Sequence, residues 1–92
     1  METTDVICGG YTTFSTAISN EATKAWNEAF QGFVGVNYTP VAVATQVVNG
    51  TNYRFFCNAK EVYPNSANEA AMVEIYKPLN DKARICQIKR CW

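Results

Sequence analysis

The sequence predicts an α+β fold in which one amphipathic helix packs across an antiparallel sheet of four to five strands. Residues 19–34 carry apolar side chains at the helical period, and the chain after Gly35 alternates in runs rich in β-branched and aromatic residues. Helix and sheet would each have one apolar face to bury, so packing the two faces together satisfies both. The 92 residues suit a single domain, residues 1–92.

The first ten residues include small and polar ones and end in Gly9-Gly10. They indicate a mobile N-terminal arm over residues 1–10, because chain termini are rarely held in place. A short strand around residues 11–14 is expected to follow the arm and would add a fifth strand to the sheet.

The helix is predicted over residues 19–34. Ser19 or Asn20 can cap its N-terminus, and Glu21 in the first turn complements the helix dipole. Gly35 is expected to be the residue that ends it. Its apolar stripe comprises Ala22, Ala25, Trp26, Ala29, Phe30 and Phe33. We interpret this stripe as part of the core and not as a ligand site.

Four strands are predicted after the helix. The first covers about residues 36–48, with Pro40 marking a bulge or an edge position. The others cover about residues 51–63, 70–76 and 83–90, and short connections make sequential strands neighbours. In the second strand, alternation places four side chains on one face: Tyr53, Phe55, Cys57 and Ala59. In the third strand it does the same for Ala71, Val73 and Ile75.

Composition narrows the classes of function. Hydrophobic residues make up 48% of the chain and charged residues 17%, and the formal net charge is zero, so there is no case for nucleic acid or an anionic membrane as the partner. The chain has no histidine, so a catalytic cysteine would lack its usual base. The acidic residues are scattered, with no pair suited to acid–base catalysis. We therefore expect neither an enzyme nor a cofactor.

The N-terminal sequence and the cysteines indicate in which cellular compartment we expect the protein. The chain does not begin with a basic segment followed by an apolar one, and no apolar run approaches the roughly 20 residues of a membrane span. We therefore expect a cytoplasmic protein with reduced thiols, unless a signal has been removed. The four cysteines are Cys8, Cys57, Cys86 and Cys91. Four allow three disulfide pairings, and the sequence does not choose among them. Without a Cys-x-x-Cys pair or a histidine, a zinc site is disfavoured.

The most specific pattern is the run from Gln46 to Tyr53, which reads QVVNGTNY. Its centre, Asn49-Gly50, is a strong hairpin signal, because both residues tolerate the positive φ of a tight primed turn. An ordinary β-hairpin is the simplest interpretation.

The same run resembles the first binding hairpin of the cystatins, which are reversible inhibitors of papain-like cysteine proteases. The Gly9-Gly10 pair is similar to the glycine that precedes the cystatin body, and the helix-plus-sheet layout resembles the cystatin fold. Among cystatins the chain looks most like the stefins, the branch without signal peptides. Stefins carry a second hairpin of the Leu-Pro-Gly kind. Here that position reads Pro78-Leu79-Asn80-Asp81, which keeps a leucine but departs from the pattern.

The resemblance implies a non-covalent inhibitor that inserts a wedge of three segments into the protease cleft: the arm, the first hairpin and the second hairpin loop. The implied protease-binding residues are Gly9, Gly10, Gln46, Val47, Val48, Asn49, Gly50, Pro78, Leu79 and Asn80. The partner would be a papain-like cysteine protease, and no cofactor is needed. We expect a monomer, with a hairpin-swapped dimer as the alternative state. The alternative function is a non-inhibitory binding or structural module of the same fold.

Overall fold

The computed structural model describes residues 10–91, which form one helix packed against a four-stranded antiparallel sheet. The elements are α1 (Asn20–Ala29), β1 (Val36–Val48), β2 (Gly50–Glu61), β3 (Glu69–Lys77) and β4 (Arg84–Arg90). The strand order in the sheet is β1-β2-β3-β4, and each neighbouring pair is antiparallel. The predicted α+β class is therefore confirmed, as is the order of the four strands.

The helix α1 begins where the sequence predicts and ends earlier. Ser19 is the N-cap, and its hydroxyl oxygen accepts a hydrogen bond from the backbone N–H of Ala22 at 3.1 Å. The helix ends at Ala29, and Gly32 follows with a φ of 81°. The predicted stop at Gly35 was wrong, because the chain adopts a left-handed conformation at the earlier glycine.

The side chains of α1 differ in size across its buried face. The helix approaches β3 and β4 most closely, and the fully buried Ala22 and Ala25 are small enough to permit that approach. Trp26 instead reaches toward β2, and its ring lies edge-on to that of Phe55 with 4.8 Å between centroids. Phe30 stacks on Trp26 at 4.2 Å. These two aromatic residues pack against the core as predicted.

Phe33 does not join the core as fully as predicted. It lies beyond the end of α1, and its side chain is 40% exposed. Its ring still contacts the rings of Phe30 and Tyr38, with centroid distances of 5.0 Å and 5.8 Å. The early end of the helix explains the difference, since the helical period no longer aims this side chain at the sheet.

The sheet buries one face against α1. The alternation predicted for β2 and β3 is confirmed, because these side chains are all buried: Tyr53, Phe55, Cys57, Ala59, Ala71, Val73 and Ile75. β1 continues the same face, with Val43 opposite Phe55 in the register. A register shift between Pro40 and Ala42 confirms the predicted bulge and leaves Val41 as the additional residue.

The strand predicted around residues 11–14 does not form within the described residues. Ser15 and Val43 make an isolated bridge, and the N–H of each donates to the carbonyl oxygen of the other at 2.9 Å. The N–H of Thr12 also donates to the carbonyl oxygen of Thr45 at 2.8 Å. The return bond goes to a side chain, since the Thr45 N–H donates to the Thr12 hydroxyl at 3.0 Å. A hydroxyl therefore replaces a backbone acceptor, and the ladder stops.

Candidate functional site

The β1–β2 turn is very tight. Val48 pairs with Gly50 in the register, so Asn49 alone lies outside the ladder. Gly50 has a φ of 109°, whereas Asn49 is not among the residues with positive φ. The predicted primed turn with two positive φ values was therefore wrong, and one glycine is sufficient to reverse the chain.

This tip is attached to β3. The hydroxyl of Tyr76 donates a hydrogen bond to the backbone carbonyl oxygen of Asn49. Gly50 is buried beneath the same phenol. A Cβ at Gly50 would lie 2.5 Å from the carbonyl oxygen of Lys77 and 2.9 Å from the hydroxyl oxygen of Tyr76. Position 50 thus requires glycine for two reasons, its φ and the close approach of β3.

The β3–β4 connection lies beside the tip, because Lys77 at the end of β3 pairs with Thr51 at the start of β2. The ammonium group of Lys77 donates to the backbone carbonyl oxygen of Asp81 and so closes the connection. Of the three predicted site residues in it, Leu79 and Asn80 are exposed and Pro78 is half-buried.

The predicted arm is described only in part. Gly9 lies outside the described residues, whereas Gly10 is half-buried. The segment from Gly10 runs antiparallel to β1, with Thr12 beside Thr45. Gly10 is therefore directed toward the Val47 end of β1, which is the end that carries the hairpin tip.

Tyr11 holds this segment against the sheet. The guanidinium carbon of Arg54 lies 4.0 Å from the centroid of the Tyr11 ring, within the range of a cation–π interaction. Arg54 also pairs with Glu74, with 2.9 Å between Nε and Oε2. Burial raises the pKa of the Tyr11 hydroxyl, and the Arg54 charge opposes that rise. Side chains of β2 and β3 thus position the residue next to Gly10.

Two of the three segments, the β1–β2 turn and the β3–β4 connection, present exposed apolar side chains at one end of the sheet. Val47 is 49% exposed, Val48 is 39% exposed and Leu79 is 70% exposed. Gln46 is half-buried, and its side-chain oxygen accepts a hydrogen bond from the Asn52 amide at 2.7 Å. Exposed apolar side chains at a turn contribute little to folding, so this group is a candidate contact surface. We call it the hairpin-end surface, made up of Val47, Val48 and Leu79.

Two cavities lie away from this surface. One, of about 280 Å³, is at the opposite end of the sheet and is lined by Tyr38, Glu61 and Tyr63 among others. The other, of about 320 Å³, is a groove between α1 and β1 beside Trp26 and Pro40. Neither cavity contains a predicted site residue.

The cysteines of the described part are free thiols, namely Cys57, Cys86 and Cys91. Cys57 is fully buried, as predicted, and burial raises the pKa of its thiol to about 12. Within residues 10–91, no group of three or more His, Cys, Asp or Glu side chains could hold a metal ion. The same part of the chain has no helix of the length and apolarity that crossing a membrane requires.

We compared the chain with known protein families, curated proteins and solved structures. No family model, curated protein or solved structure matches this chain. Support for a function therefore comes from the geometry of the hairpin-end surface and from the Gln46–Tyr53 sequence pattern that overlaps it.

Sequence reasoning missed two residues that shape this surface, Tyr76 and Lys77. Alternation assigns Tyr76 to the face of β3 that points away from α1, but it does not reveal what lies across the sheet. Its partner Asn49 is 27 positions away in the chain. Only the register between β2 and β3 brings the two together, and no short motif encodes that register.

Proposed function

We propose that this chain is a reversible, non-covalent inhibitor of papain-like cysteine proteases, with a cystatin fold of the stefin kind. The observation that carries the proposal is the exposed Val47–Val48 tip, which the Tyr76–Asn49 hydrogen bond attaches to β3 at the same end of the sheet as exposed Leu79. On this proposal the protein acts as a monomer in the cytoplasm. The alternative, a non-inhibitory module of the same fold, is favoured by the departure of Asn80 from the stefin loop pattern.

The inhibition would be steric. The hairpin-end surface fills the apolar cleft above the catalytic cysteine and histidine of the protease and excludes the substrate. No peptide bond of the inhibitor is placed for attack, so the inhibitor is not cleaved and can dissociate unchanged. Because Tyr76 attaches the tip and the Lys77–Asp81 contact closes the second connection, both segments are ordered before they bind. Preorganised segments lose little conformational entropy on binding, which raises affinity.

Titration against papain tests the proposal. The purified chain is added in increments, and residual activity is followed with a small fluorogenic peptide substrate. We expect stoichiometric loss of activity from the wild-type chain. A folded chain that leaves papain fully active at micromolar concentration would support the non-inhibitory module.

A pair of matched variants locates the contact. Val47→Asp places a carboxylate that must be desolvated in the cleft, so we expect inhibition at least about tenfold weaker, or about 1.4 kcal/mol. Val62→Asp makes the same change at a residue that is 61% exposed in the β2–β3 connection, at the opposite end of the sheet. It should inhibit like the wild type. Equal inhibition by Val47→Asp would show that the tip is not the contact.

A further inference from the structure

We propose that Asn49 is a site of spontaneous deamidation and that the hydroxyl of Tyr76 promotes the reaction. The co-reactant is water, and the product is a carboxylate at the hairpin tip. The chemistry stands independently of the proposed function, whereas its consequence for inhibition rests on that function.

The setting of Asn49 favours attack on its side chain. Asn49 is exposed and lies outside the β1–β2 ladder. It is followed by Gly50, and this is the only Asn-Gly pair in the chain. With no Cβ at Gly50, the approach of its nitrogen to the Asn49 side-chain carbon is unhindered. Asn65, by contrast, is followed by Ser66, whose side chain crowds the same approach.

The reaction is balanced with water alone. The backbone nitrogen of Gly50 gives its proton to hydroxide and attacks Cγ of Asn49. The new N–Cγ bond closes a succinimide ring, while the Cγ–Nδ2 bond breaks and the departing nitrogen takes a proton from water, so that ammonia leaves and hydroxide is regenerated. Water then opens the ring at either carbonyl carbon and yields aspartate or isoaspartate. No oxidant or reductant takes part.

Tyr76 acts on the slow step through the peptide group. The Asn49 carbonyl and the Gly50 N–H belong to one amide, whose charge is delocalised. The Tyr76 hydroxyl donates to that carbonyl oxygen. A hydrogen bond at the oxygen draws charge from the nitrogen, so the Gly50 proton is removed more easily. Tyr76 is thus a positioning residue for the reaction. Its place in β3 keeps the hydroxyl at the Asn49 carbonyl oxygen.

The product would alter the hairpin-end surface. A carboxylate would stand next to Val48, and burying an unpaired charge in an apolar cleft is costly. Isoaspartate also adds a methylene to the backbone. Gly50 has no room to shift toward β3, since even a Cβ there would come 2.5 Å from the Lys77 carbonyl oxygen. If the chain is an inhibitor, deamidation would weaken it gradually.

The first experiment measures the reaction itself. Folded wild-type chain and Tyr76→Phe are incubated at mildly alkaline pH and physiological temperature, and peptide mapping by mass spectrometry follows each asparagine. We expect Asn49 to convert before every other asparagine, and several-fold more slowly in Tyr76→Phe. Tyr63→Phe, at an exposed tyrosine of the β2–β3 connection, is the matched control and should keep the wild-type rate. Circular dichroism and thermal unfolding confirm that each variant is folded.

Each contrary outcome is decisive. Conversion of another asparagine first would overturn Asn49 as the site. An unchanged or faster rate in Tyr76→Phe would overturn the role of the hydroxyl, and a faster rate would mean that Tyr76 protects the tip by holding it rigid.

The second experiment tests the consequence. Modified and unmodified fractions of one aged wild-type sample are separated by ion exchange and titrated against papain. We expect at least about tenfold weaker inhibition from the modified fraction. Equal inhibition would overturn the consequence. If the unmodified fraction does not inhibit, the proposed function has failed while the mass-spectrometric result still stands.

Discussion

Gly50 shows how one absent side chain determines a local structure. Its φ of 109° reverses the chain, and its missing Cβ admits the Lys77 carbonyl and the Tyr76 phenol. Gly35 has a similar φ of 104°, but a Cβ added there would meet no atom of a neighbouring segment within 4 Å. An added Cβ would therefore cause only backbone strain at Gly35, whereas at Gly50 it would cause both backbone strain and a steric clash.

Replacing each of these glycines by alanine should cost different amounts of stability. Gly35→Ala should lose about 1–2 kcal/mol of unfolding free energy, because alanine resists a positive φ. Gly50→Ala should lose more, because its Cβ would also meet the backbone of β3 at 2.5 Å. Urea unfolding of both variants measures the difference. Equal losses would show that β3 moves away from the added Cβ without a further loss of unfolding free energy.

Cys57 should make stability depend on pH in the alkaline range. Burial raises the pKa of its folded-state thiol from 9.0 to about 12. The unfolded chain releases the proton first, so the folded state is favoured below pH 9 and loses stability as the pH rises toward 12. The slope is at most about 1.4 kcal/mol per pH unit for one group.

The measurement compares slopes between pH 9 and pH 10, the lower part of that window. Cys57→Ala should have a shallower slope than the wild type, although its overall stability falls because of the cavity it leaves. Cys86→Ala removes an exposed thiol and should keep the wild-type slope. An identical slope in Cys57→Ala would mean that other groups cause the alkaline loss.

Among the elements, α1 packs against the sheet and also makes a polar contact with a segment outside the sheet. The backbone N–H of Ala83 donates to the carboxylate of Glu28 at 3.0 Å. Ala83 is buried just before β4 begins, so its N–H would otherwise have little access to water. This contact connects the helix with the β3–β4 connection.

Removing the acceptor should destabilise the fold. Glu28→Ala leaves the buried Ala83 N–H without its partner, and we expect a loss of about 1–3 kcal/mol in unfolding free energy. Glu28→Gln keeps an acceptor oxygen of similar reach and should lose less. Thermal and urea unfolding provide the comparison. Glu28→Gln as unstable as Glu28→Ala would indicate that the negative charge matters and not the hydrogen bond.

For the whole molecule, local patterns predicted the elements well and the long-range contacts poorly. Alternation over β2 and β3 identified their buried faces because burial on one face imposes a period of two. The end of α1 was misplaced because Gly32 and Gly35 are both plausible stops, and only the structure shows which adopts positive φ first. The expected strand near Thr12 failed for a local reason, since a hydroxyl competes with the backbone for the Thr45 N–H.

The candidate site was predictable in its residues but not in its assembly. The resemblance to the first cystatin hairpin singled out the Val47–Val48 tip, and the resemblance to the second stefin hairpin singled out Leu79. Their proximity depends on the antiparallel pairing of β2 with β3, which brings Thr51 opposite Lys77. Pairing of this kind is a property of the complete sheet, and no single segment specifies it.

The contact between Glu28 and Ala83 also bears on the order of folding. It spans 55 positions of the chain, whereas each strand pairs with its neighbour in sequence. Short hairpin loops close at little entropic cost, so we expect the sheet to form before α1 docks. A contact made after the transition state affects unfolding and leaves folding nearly unchanged. In stopped-flow experiments Glu28→Ala should therefore unfold faster and refold at the wild-type rate, and slower refolding would place the helix within the folding nucleus.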